Sequence, residues 1–171
     1  EEVYAESASS RNIAPEHKSR WNGLISSFCE TYGYKPDFVA RSPGRVNIIG
    51  EHVDYSLYNV LPMAVTVDAL IAVKCSARET PTVRITDIHP DRYPSSEFKI
   101  PVNGDIDIDP QKHEWTNYFK AGLRGALRFL RSKQTSSFTP ASLAVIVDGN
   151  VPPGGVLSSS AALVCASALA V

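Results

Sequence analysis

VPPGGVLSSSAALVCASALAV, residues 151–171, is the stretch around which the rest of the chain can be ordered. Two prolines and two glycines lead into three consecutive serines, after which Ala161 to Val171 carry no charge. That apolar tail has no polar side, which suits a buried helix better than a surface one. Pro152 and Pro153 cannot sit inside such a helix, and they push the residue before each toward extended geometry. The helix is therefore predicted to start between Leu157 and Ser159, with a serine as N-cap. Its first amides lack partners within the helix and stand at the positive end of the helix dipole. Glycines just ahead admit a bulky anion close to the backbone, and the hydroxyls add donors or a magnesium ligand. This is the chemistry of a phosphate cradle. A capped core helix accounts for the same string, and the absence of Gly-Lys-Ser/Thr after the glycines excludes a Walker loop.

The bulk numbers narrow the alternatives. The chain has 171 residues, 43% of them hydrophobic and 20% charged, with a formal net charge of −1. That is enough material for one domain with a respectable core. A near-neutral balance makes no electrostatic case for nucleic acid or an anionic membrane surface. No run approaches the roughly 18 apolar residues of a membrane span, and the acidic, polar start EEVYAESASS is no signal peptide. Cys29, Cys75 and Cys165 are odd in number, far apart and set in apolar surroundings. They read as reduced, mostly buried thiols of a cytoplasmic protein.

Residues 1–16 lack apolar periodicity and form a loose lead-in; residues 17–171 form the domain. From His17 to Tyr32, Trp21, Leu24, Ile25 and Phe28 recur at helical spacing, with Gly33 as a stop. Phe38 to Arg41 is a short strand broken by Ser42-Pro43-Gly44, and Arg45 to Ile49 resumes it. Val60 to Cys75 is β-branched, one bent strand or two, with Pro62 marking an edge or kink. Thr82 to Ile88 places Val83, Ile85 and Asp87 on one face and suits an edge strand. Glu97 to Val102 is a further short strand, followed by acidic turn material. Trp115 to Arg131 is an amphipathic helix whose row of Lys120, Arg124, Arg128 and Arg131 reads as a solvated face. Leu143 to Val147 is a buried strand leading by way of Asp148-Gly149-Asn150 to the opening stretch. Without a regular βαβ rhythm, the class is α+β.

A second stretch carries more chemistry. Residues 42–65, SPGRVNIIGEHVDYSLYNVLPMAV, set Arg45, Asn47, Glu51, His52, Asp54 and Tyr55 beside a buried strand. Glu51 and Asp54 can accept paired hydrogen bonds, His52 donates or accepts, and Arg45 is a fixed cation. Such a set fits the adjacent hydroxyls of a small polyhydroxylated ligand. Glu51, His52 and Asp54 are also metal-ligand types, although they mix hard and borderline donors and lack a partner motif. A salt-bridged turn would explain one or two of these residues.

PGRVNIIGEHVDY followed by VLPMAV resembles the signature of the galactokinases, and VPPGGVLSSSAAL resembles the phosphate-binding motif of the wider GHMP kinase superfamily. The resemblance runs from about Trp21 to the end. It implies an N-terminal domain of the GHMP-kinase type (ribosomal protein S5 domain 2-like), in which a mixed sheet packs with helices. It also implies ATP-dependent phosphorylation of galactose at its anomeric hydroxyl. By motif position Glu51, His52 and Asp54 would hold sugar hydroxyls, and Arg45 would steady charge near the reacting oxygen. Gly154, Gly155, Val156, Ser158 and Ser159 would wrap the ATP phosphates, with Ser160 in the magnesium shell. Trp115 and Tyr118 would lie near the adenine. Galactose and ATP are thus the implied partners, with Mg2+ as cofactor.

The match departs from the family in two places. Family members carry glycine where this chain has Val156, which is expected to weaken ATP binding. Their catalytic aspartate and a further glycine-rich motif lie beyond the position of Val171, so residues 1–171 are read as an N-terminal portion that lacks kinase activity alone. Two relatives of the family give alternatives. One is a galactose- and ATP-sensing transcriptional co-inducer with a regulatory protein partner, against which the intact Ser158-Ser159-Ser160 run speaks. The other is N-acetylgalactosamine kinase, separated only by pocket size at the sugar's second carbon.

Overall fold

Leu61–Ser76, the longest strand (β2), is the spine of the sheet. Its second half alternates Leu70 and Ala72 on one face with Ile71 and Val73 on the other, and all four are fully buried. A strand apolar on both faces needs a layer on each side, and the chain supplies both. The computed structural model describes residues 15–50, 52–133, 138–152 and 157–171. In it Phe38–Ile49 (β1) and Ser142–Gly149 (β5) flank β2, both antiparallel to it. Thr82–Asp87 (β3) runs parallel to β5, and Ser96–Lys99 (β4) closes the far edge, giving the order β1-β2-β5-β3-β4.

Helix Pro15–Tyr32 (α1) covers one face, where Leu24 and Phe28 pack on Leu70, Ala72, Ala144 and Ile146. Thr116–Lys133 (α2) and Ser159–Leu169 (α3) cover the other, where Phe119, Leu123, Leu127, Ala162 and Ala166 meet Ile71, Val73, Val83, Val145 and Val147. The α+β class expected from the sequence is the observed one. The helix α1 starts two residues ahead of His17, with Pro15 as its first residue, where the missing N–H costs nothing.

Several readings are corrected. β1 is one strand, because Ser42-Pro43-Gly44 is absorbed as a register shift against β2 between Pro43 and Arg45. β3 is an interior strand, paired on both sides, since the short β4 takes the edge. Pro62 does lie where β2 pairs with β1 alone, opposite Asn47. The cationic row on α2 is engaged rather than merely solvated. Arg128 pairs with Asp105, and Arg131 donates to the carbonyls of Pro101 and Gly104, at 2.7 and 2.5 Å. These bonds fasten the Pro101–Asp105 turn to α2. Nor is α3 buried all round: Ala161, Cys165 and Leu169 are exposed one turn apart, so Cys165 is no buried thiol.

The helices α2 and α3 approach closely at Gly122, where an added Cβ would stand 2.7 Å from Ser167 Cβ and 3.0 Å from the Ala168 nitrogen. This contact fixes how α3, and therefore its first turn, sits over the sheet.

Candidate functional site

The two sequence motifs meet where β1 runs past the start of α3. The backbone N–H of Arg45 donates to the carbonyl of Leu157 at 3.0 Å. Gly44 makes this approach possible, since a Cβ there would lie 2.8 Å from the Leu157 oxygen and 3.2 Å from a Val151 methyl. Two segments separated by more than a hundred residues are thus joined directly, ahead of the serine run. Arg45 is half-buried at this corner. His52 and Asp54 follow in the loop after β1, both exposed, with Asp54 opening a single 3-10 turn to Ser56. The His52 and Tyr55 rings stack nearly parallel, 6.1 Å between centroids. Asn47 donates to the Gly50 carbonyl at 3.4 Å and so braces the exit from the strand. Glu51, Gly154, Gly155 and Val156 lie outside the described residues.

Backbone strain concentrates in these motifs. His52 at φ 57° and Ser158 at φ 60° both adopt the left-handed region, which costs a non-glycine residue about 1–2 kcal/mol. Ser158 is the N-cap of α3, the serine cap expected from the sequence, although its side chain makes no capping bond. No capping bond from the Ser158 hydroxyl therefore occupies the first amides of α3. Strain of this kind is characteristic of ligand-holding turns.

Beside the first turn of α3 opens a cleft of about 450 Å3. Ser158, Ser159 and Ser160 line one part, Trp115, Tyr118 and Tyr93 another, and Ala69, Val147 and Gly149 form the floor. The aromatic pair named from sequence therefore shares a cavity with the serine run. Trp115 is fixed by its indole N–H, which donates to the Pro94 carbonyl at 3.0 Å, and by a T-shaped contact with Tyr93 at 5.9 Å. Arg45, His52 and Asp54 are not among the described lining residues; Arg45 belongs to β1, and His52 and Asp54 to the loop that follows it.

Sequence reading missed two contributors. Asp87, at the end of β3, lines the cleft at only 8% exposure. Burial pushes its carboxyl up from the ordinary range, while the His89 N–H on Oδ1 at 2.8 Å pulls the other way. A polar residue in the apolar alternation of Val83 and Ile85 was the available signal. The second is Arg20 on α1, which reaches the cleft floor from behind. Its guanidinium pairs with Asp68 and with Asp148, the latter at 2.9 Å, and donates to the Asp148 carbonyl at 2.7 Å. Asp68 and Asn150 add a reciprocal tie, Asp68 N–H to Asn150 Oδ1 at 2.7 Å and Asn150 N–H to the Asp68 carbonyl at 3.1 Å. The exit of β5 toward the serine run is thereby tied to β2. Nothing but a helix-wide view of α1 would have singled out Arg20, because its partners lie 48 and 128 residues away.

Among the described residues no group of three His, Cys, Asp or Glu side chains is placed to hold a metal ion. No helix among them is long and apolar enough to cross a membrane.

Comparison with known proteins accords with this geometry. The galactokinase galactose-binding signature matches residues 26–75, the span from α1 through β2. Galactokinase of Saccharomyces cerevisiae is 46% identical over 152 residues, which cover 86% of this chain and 29% of that protein. Galactokinase of Candida maltosa is 37% identical, covering 94% of this chain and 72% of that protein. The chain spans about a third of the length of the first curated relatives it matches, between 29% and 31%. Among solved structures, galactokinase of Lactococcus lactis complexed with galactose superposes with a TM-score of 0.63 at 27% identity, over 84% of this chain and 34% of that one. A mevalonate kinase at 17% identity shares the fold, with a TM-score of 0.55 over 78% of this chain and 39% of its own. With this breadth of identity and the galactose-binding signature on the very strands that meet the serine helix, the chain belongs to the galactokinase family.

Proposed function

We propose that the complete protein transfers the terminal phosphoryl group of ATP to the anomeric hydroxyl of galactose, giving galactose 1-phosphate. The observation that carries this reading is the 3.0 Å bond from Arg45 N–H to the Leu157 carbonyl, which sets the sugar signature against the mouth of α3. On this reading Glu51, His52 and Asp54 hold the sugar hydroxyls. The open α3 amides, with Gly154, Gly155, Val156, Ser158 and Ser159, hold the phosphates. Arg45, half-buried at the junction beside the start of α3, offsets charge that develops on the transferred group. Phosphoryl transfer through a loose transition state is governed by positioning and charge stabilisation, which is what a rigid strand–helix junction offers.

Magnesium fits as a phosphate-borne ion rather than as a protein-caged one. Mg2+ keeps several waters and takes few protein ligands, and Ser160, exposed in the first turn of α3, offers one hydroxyl. When bound, the ion neutralises phosphate charge. Trp115 and Tyr118 receive the nucleobase at the other part of the cleft.

The test is an ADP-release assay on the complete protein with galactose and N-acetylgalactosamine supplied separately, alongside titration of each sugar and ATP. Galactose-dependent turnover is the expected result. Binding of both galactose and ATP without turnover would refute the kinase reading, and turnover restricted to N-acetylgalactosamine would refute the substrate.

A further inference from the structure

The cleft is asymmetric across the sheet. Its serine end belongs to α3, whose lead-in is bonded to β1 through Leu157 and Arg45. Its aromatic end, with Tyr93 and Trp115, lies by β3, and the strand order places β2 and β5 between. Three inter-strand spacings separate β1 from β3, roughly 14 Å. An anion at the helix mouth and a ring between the aromatic side chains would thus sit at opposite ends. At the ring end stands the one carboxyl group of the described lining, Asp87, buried on a floor otherwise made by Val147, Ala69 and Gly149. One of its oxygens, Oδ1, is taken by the His89 N–H at 2.8 Å. That bond favours the ionised form and fixes the carboxylate plane.

We infer that Asp87 is a specificity-determining residue that reads the nucleobase, its second carboxylate oxygen accepting a hydrogen bond from an exocyclic amine on a purine. An ionised carboxylate accepts and cannot donate. It therefore rewards the amine of adenine and repels the carbonyl oxygen that guanine or hypoxanthine carries at the same ring position. Discrimination of this kind is strong because the wrong base leaves a buried acceptor facing another acceptor. The upward push of burial on the Asp87 carboxyl agrees with a group that meets little water in the cleft. The inference rests on the nucleotide reading of the cleft made above, and names within it the residue that chooses the base.

The experiment compares three base variants on the complete protein by calorimetric titration, with 2′-deoxy-ATP as a ribose control: ATP, inosine triphosphate, and purine riboside triphosphate, which lacks any group at the ring position in question. The expected order is ATP, then purine riboside, then inosine, with ATP ahead of inosine by about 10- to 100-fold. Asp87→Asn, whose amide can present either a donor or an acceptor, should bring ATP and inosine triphosphate within about threefold of each other. Equal affinity of the unaltered protein for all three overturns the inference without recourse to any variant. So does an ATP-to-inosine ratio that Asp87→Asn leaves unchanged. A preference for ATP over 2′-deoxy-ATP that Asp87→Asn abolishes, with the base ratio untouched, would assign Asp87 to the ribose and likewise overturn it. Failure of all three nucleotides to bind would instead sink the nucleotide reading of the cleft, and this inference with it.

Discussion

Two glycines on α2, three residues apart, should respond in opposite directions to the same substitution. Gly125 is exposed, and a Cβ there would meet nothing within 4 Å. Gly125→Ala therefore gains only the difference in helix propensity, about 1 kcal/mol of stability. Gly122 gains the same term, but its Cβ would be driven to 2.7 Å from Ser167 Cβ and 3.0 Å from the Ala168 nitrogen, closer still to the Val164 carbonyl oxygen. Ordinary contact begins near 3.4 Å, so α3 must withdraw by about 0.7 Å or more at this point. Backbone on one side and a buried Ser167 on the other leave no flexible side chain to give way. Overpacking of this kind costs about 1–3 kcal/mol and often more where backbone is involved. Subtracting the propensity gain, Gly122→Ala should destabilise by up to roughly 2 kcal/mol, against a gain of about 1 kcal/mol at Gly125. Urea unfolding monitored by far-UV circular dichroism measures both variants against the parent. Because withdrawal of α3 also shifts its first turn, ATP affinity should fall in Gly122→Ala and stay unchanged in Gly125→Ala. If both substitutions stabilise alike, the close packing of α2 on α3 is not what the geometry implies.

Three further outcomes follow from the same coordinates. Gly44→Ala puts a Cβ 2.8 Å from the Leu157 carbonyl oxygen and should separate β1 from the lead-in to α3; galactose and ATP affinities, measured by titration, are expected to weaken together, and an effect on one alone would argue that the junction is not shared. Arg20→Met leaves buried Asp148 without its guanidinium partner while Asp68 keeps Arg41, and should cost about 1–3 kcal/mol in chemical unfolding, the penalty of a buried polar group left with an unmade bond. Asp87 carries a pH signature: burial raises its carboxyl in the folded state, so the folded protein holds that proton more tightly than the unfolded chain. The corresponding stability is complete below the unfolded carboxylate range and is lost as pH rises through the raised value. Asp148, His89 and Arg92 act on the same group. Asp87→Asn cannot ionise, so its stability relative to the parent should rise as pH climbs through and above the ordinary carboxylate range; a flat difference there would contradict the burial effect.

Local chemistry made much of this protein legible in one dimension. Helical spacing of Trp21, Leu24 and Phe28 drew α1, the β-branched run of residues 60–75 drew β2, and the glycine–serine string drew the open helix start. The motif residues 42–65 and 151–163 likewise led to the expectation of a polyhydroxylated ligand and an anion before any coordinates. These features are periodicities and backbone preferences that act over a few residues, so a string of letters suffices to carry them. What three dimensions alone decided depends on which distant segments touch. The edge status of β3 turned on whether the four residues of β4 would pair with it, which propensity does not fix. The absorption of Ser42-Pro43-Gly44 into a continuous β1 turned on β2 offering extra residues opposite the glycine. Arg20 found its two acids across the sheet, and Asp87 became a cleft residue only because α2, α3 and the β5 exit surround the end of its strand. Burial and pairing are properties of neighbours brought together by packing, and their energies, including the desolvation of one carboxyl and the clash beneath one glycine, do not exist until the fold has set the distances.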